Sequence, residues 1–86
     1  RPSVIDVAIT ISLLYFSKSR GVDYEGLNAF IDAYYDDEEV KKKEAPYLKK
    51  YAIKWIDYVM DHHEFDSSTT ESFEIRKNLI ESGLHF

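Results

Sequence analysis

No cysteine occurs among the 86 residues, which removes disulfide frameworks, thiol nucleophiles and thiolate metal sites together. That absence favours a cytoplasmic home over the disulfide-stapled economy of small secreted domains. Glycine is scarce as well. The three glycines, Gly21, Gly26 and Gly83, stand in none of the spacings that a phosphate-binding loop requires, so nucleotide binding by that route is not expected. No long apolar run is present either. The best stretch, Val4 to Phe16, is broken by Asp6, Thr10 and Ser12 and falls short of the ~20 residues needed to cross a bilayer. A signal peptide would need a basic start, an uninterrupted apolar core and a small-residue cleavage site, of which only Arg1 is in place. The missing initiator Met suggests a fragment or a processed chain.

Positive charge is in deficit. Eleven Lys and Arg against sixteen Asp and Glu give a net charge of -5, which disfavours a general nucleic-acid binder, since phosphate affinity comes from basic residues displacing counterions.

What is present is enough to fold. Hydrophobic residues make up 44% and charged residues 31% of the chain, an ordinary globular balance far from the composition of disordered segments. The length suits one domain over residues 1–86, because two cores of roughly 40 residues would each need staples that this chain lacks. A domain of this size leaves apolar surface for a partner.

Helical periods dominate. Ser3 followed by Asp6 reads as a variant capping box, and Gly21 stands where a left-handed C-cap would close a helix running from Val4 to about Lys18. A strand competes for the same segment, since Ile5, Val7, Ile9, Ile11 and Leu13 alternate with Asp6, Ala8, Thr10 and Ser12. No second clean alternating run offers such a strand a partner for its backbone groups, and helix is the preferred reading. A helix so apolar on most sides belongs at the centre of a bundle or in an oligomer interface. Asp23 caps a second helix carrying Tyr24, Leu27, Phe30, Ile31 and Tyr34 at steps of three and four. Asp36 to Glu39 then precede Lys41 to Lys43 in a short helix or a charged corner, with Glu38–Lys42 and Glu39–Lys43 one turn apart. Pro46 suits the first turn of a third helix, along which Leu48, Tyr51, Ala52, Trp55, Ile56, Val59 and Met60 share a face. A polar loop from Asp66 to Thr70 offers Ser and Thr caps to a last helix that Gly83 ends. The sum is an all-α fold, a small bundle of about four helices around one core.

Catalytic and metal chemistry find little footing, and neither catalytic residues nor a cofactor is expected. No pattern groups Ser, His and carboxylate as a nucleophile, its base and an orienting group would require. His62 and Asp66, four apart as two ligands on one helix face would be, are too few for a zinc site, which takes three or four ligands. His62 and His63 read instead as exposed residues offsetting the dipole of a last helical turn.

Tyrosine is the unusual abundance. Seven occur, with one tryptophan, and several are expected to wedge between helices with their hydroxyls in water. Tyr47, Tyr51, Lys54 and Tyr58, with Trp55 beside them, would line a ridge of one helix whose composition resembles a binding hot spot. Six of the eleven basic residues, Lys41, Lys42, Lys43, Lys49, Lys50 and Lys54, fall within fourteen positions around Tyr47 and Tyr51, a mixture that single-stranded nucleic acid also uses. Glu38, Glu39 and Glu44 flank them and weaken that field. The expected function is therefore a non-enzymatic protein-protein interaction module, its partner another protein or a second copy of the chain through the apolar first segment. A nucleic-acid-associated domain using the Lys41–Lys54 face is the alternative.

Overall fold

The computed structural model describes residues 3–86. Over these residues the elements run α1 (Val4–Leu14), β1 (Phe16–Ser17), β2 (Gly21–Val22), α2 (Tyr24–Tyr34), α3 (Glu38–His62) and α4 (Ser67–Gly83). The four-helix, all-α expectation is met, with a small antiparallel hairpin added between α1 and α2.

The first segment is helix, and the capping box starts it. Asp6 N donates to Ser3 Oγ at 3.3 Å and Ser3 N donates to Asp6 Oδ2 at 3.3 Å, which satisfies two amides that the first turn leaves open. Its far end is a correction to the reading that carried it to Lys18. The helix stops at Leu14, and Phe16 and Ser17 turn out to pair with Val22 and Gly21. The return needs a residue at φ +68°, so Gly21 spends its left-handed freedom on the hairpin rather than on a helix cap. The gain is burial: Phe16, which a continued helix would carry onward, is fully enclosed.

The other helices start on aspartates. Asp23 Oδ1 accepts from Gly26 N at 3.0 Å, Asp37 Oδ1 from Glu39 N at 2.9 Å and Asp66 Oδ1 from Thr69 N at 2.7 Å. Two expectations change as a result. The third helix does not begin at Pro46 but at Glu38, and the charged stretch before the proline is its first two turns. Asp37 supplies the cap, Glu38 and Glu39 lie at the positive end of the helix dipole, and Lys41 Nζ reaches Asp32 Oδ1 of α2 at 3.0 Å. Pro46 is exposed, so the amide it lacks falls where the Lys42 carbonyl can turn to water. The loop expected over Asp66 to Thr70 shrinks likewise, because Asp66, not a Ser or Thr, is the cap and α4 starts at Ser67.

Helix α3, 25 residues long and so about 37 Å from end to end, is the spine. It packs against α1 and α4, and α4 covers both hairpin strands. Its inner side contributes Ala45, Leu48, Ala52 and Ile56 to a cluster with Val7, Ala8 and Ile11 of α1, Leu27 and Ile31 of α2, Ile80 of α4, and Phe16. The buried Ser12 satisfies its hydroxyl within its own helix by donating to the Ile9 carbonyl at 2.8 Å. Contrary to a fully central position, α1 leaves Ile5 and Leu13 47% and 46% exposed. No helix among the described residues is long and apolar enough to cross a membrane.

Candidate functional site

The inner residues of α3 recur at steps of three and four, and the helical period therefore gives its opposite side the same regularity. Lys43, Tyr47, Lys50, Lys54, Tyr58 and Asp61 follow one another at that spacing, and all six are exposed. The row from Lys43 to Tyr58 spans about 22 Å. Tyr47 and Tyr58 are 52% and 58% exposed, which for such large rings places more than half of each side chain in water.

Neighbouring rings steady the two tyrosines on the row. The Tyr47 and Tyr51 centroids are 6.3 Å apart, and His62 stacks on Tyr58 with centroids at 4.1 Å and planes at 23°. His62 Nδ1 lies 2.9 Å from the Tyr58 carbonyl oxygen, which holds the imidazole over the last turn of the helix. A stacked, anchored ring has less rotamer freedom to lose on contact with a partner.

Of the residues assigned to this surface from sequence, Tyr47, Lys54 and Tyr58 stand together and exposed. Tyr51 is half-buried at the margin, where it also packs against the core. Trp55 is turned elsewhere: it meets Phe73 of α4 edge-on at 6.2 Å and belongs to the α3–α4 contact. Phe65 continues that aromatic chain, 5.5 Å from Phe73 and 5.7 Å from His63. The surface also brings in Lys43 and Lys50 on the row and His62 stacked beside it on Tyr58, none of which the sequence reading places on the ridge. Their four-residue relation to Tyr47, Lys54 and Tyr58 was the available signal.

Ion pairs among the described residues engage three lysines, all off the row. Lys18 pairs with Glu71 at 2.9 Å, Lys41 with Asp32 at 3.0 Å and Lys77 with Asp57 at 2.8 Å. Hydrogen bonds to their carboxylates raise the pKa of Lys41 and of Lys77 above the ordinary lysine value. Among the described residues, Lys43, Lys50 and Lys54 form no such pair. Along the row Lys50 and Lys54 fall between Tyr47 and Tyr58, and Lys43 lies one turn before Tyr47.

The histidine region does not assemble as two ligands on one helix face. Helix α3 ends at His62, and Asp66 lies beyond the break as the cap of α4, its carboxyl held below the usual range by the Thr69 amide. Among the described residues no group of three or more His, Asp or Glu side chains is placed to hold a metal ion. No protein-family model matches the chain, and no curated protein or solved structure is significantly similar to it.

Proposed function

We propose that this chain is a non-enzymatic protein-interaction module of the cytoplasm whose contact surface is the outer face of α3, centred on Tyr47, Lys54 and Tyr58. One observation carries the reading: two tyrosines more than half exposed lie on one helix face, outside the core, with neighbours that restrict them. Tyrosine at a contact centre provides large amphipathic area for two rotatable bonds, and such residues recur as binding hot spots. Tyr51 supports that face from its margin, whereas Trp55 packs on Phe73 of α4.

The nucleic-acid reading of the Lys41–Lys54 stretch draws on the same lysines. It is the weaker one, because Lys41 is tied to Asp32 and the net charge of -5 opposes a polyanion.

A photo-crosslinking residue placed at position 58, and separately at exposed position 29 of α2 as a control, tests the proposal in the cell and on the purified protein. Crosslinks to a protein or to a second copy from position 58, and few from position 29, are the expected result. Equal yields from both positions would remove the case for a contact surface on α3.

A further inference from the structure

We infer that the outer face of α3 receives a short acidic protein segment, with carboxylates set against Lys43, Lys50 and Lys54 and apolar side chains lying on Tyr47 and Tyr58. The inference rests on the contact surface proposed above and names the chemistry of its occupant.

Charge complementarity is the first argument. Lys43, Lys50 and Lys54 are exposed together on one face of α3 and, like Lys42 and Lys49 beside it, form no ion pair among the described residues. An acidic partner would supply those missing carboxylates beside tyrosine rings that exclude water, where a charged hydrogen bond is stronger than on an open surface. The lysine stems and tyrosine rings would at the same time cover the apolar part of the segment.

The borders of the row set the length and direction. Asp36, Asp37, Glu38 and Glu39 lie at the start of α3, and Asp61, Glu64 and Asp66 at its end. A long polyanion running along the helix would meet carboxylates at both ends, so the positive stretch suits a segment of about 20 Å rather than a nucleic-acid strand. Such a length corresponds to roughly three to four helical turns. Asp61 at one end of the same row favours a basic or neutral residue opposite it, which gives the bound segment a direction.

Panning a phage-displayed library of random twelve-residue peptides on the folded protein tests the inference, with Lys50→Glu/Lys54→Glu and Tyr47→Ala/Tyr58→Ala as comparison proteins. All four positions are exposed, and a Lys50→Gln/Lys54→Gln protein replaces the first should circular dichroism show it unfolded. The expected result is enrichment of net-acidic peptides that bind the charge-changed protein at least about tenfold more weakly and lose affinity as salt rises. Neutral or basic peptides that depend on the tyrosines but not on the lysines would overturn the acidic occupant while leaving the contact surface standing. Peptides indifferent to both variants, or none at all, would overturn the two together. A fluorescein-labelled oligothymidylate that binds through Lys50 and Lys54 where no acidic peptide does would assign the face to nucleic acid and overturn the inference.

Discussion

Arg76 of α4 donates from Nε to the carbonyl oxygen of Phe16 at 2.9 Å, joining residues sixty positions apart. The contact explains how a hairpin of two residues per strand persists, since an isolated ribbon of that size would not hold in water. The guanidinium also lies 5.6 Å from the centre of the Phe73 ring, and its burial lowers its pKa without making it neutral.

Arg76→Met keeps most of the stem and removes the donor, leaving the carbonyl of a buried residue unanswered. A loss of about 1–3 kcal/mol is expected, read from chemical denaturation. Hydrogen exchange should quicken first at the hairpin amides, such as Asp23 N, which donates to the Tyr15 carbonyl at 2.9 Å. An unchanged stability would mean that Phe16 burial alone holds the hairpin to α4.

Pro46 gives a prediction of opposite sign. It sits inside α3 and is exposed, so Pro46→Ala restores a helix amide and relieves the ring's clash with the preceding turn. Stability should rise by about 1–3 kcal/mol, and the melting temperature by roughly 4–8 °C for each kcal/mol. A lower melting temperature would show instead that the packing of the proline ring outweighs the missing hydrogen bond.

These residues also mark where the sequence was readable. Caps and helical periods carried the four helices, because Ser3 with Asp6 and Asp23 before Tyr24 satisfy first-turn amides locally. Boundaries failed where a distant contact decided them. Pro46 read as a helix start since a proline is easiest there, yet the Asp37 cap and the Lys41–Asp32 bond extend the helix two turns upstream. Gly21 read as a helix cap because two-residue strands have no periodic signature, and what fixes them is Arg76, far along the chain. The outer ridge was legible in Tyr47, Lys54 and Tyr58, while Trp55 could not be assigned to α4 without knowing on which side Phe73 would pack.

Acid should loosen the start of α4. Hydrogen bonds from Thr69, its backbone amide foremost, lower the Asp66 pKa in the folded state relative to the unfolded chain. Stability from this source is present above the unfolded value and is lost as pH falls through the folded one, a window below about pH 4. Asp66→Asn retains a cap oxygen that does not titrate. Thermal melts from neutral pH downwards should therefore show a gap between the two proteins that closes below that window, whereas a constant gap would assign the acid sensitivity to other carboxylates.

The central claim is that the tyrosines on the outer side of α3 are surplus to the fold and held for contact. Denaturant unfolding of Tyr47→Ala/Tyr58→Ala beside Leu48→Ala tests it most directly, because Leu48 lies one residue from Tyr47 and is fully buried. The double variant is expected to lose less than about 1 kcal/mol, since only ring pairs along the helix are removed, while Leu48→Ala loses about 2–5 kcal/mol. Losses of equal size would contradict the account and make the outer tyrosines part of what folds the chain.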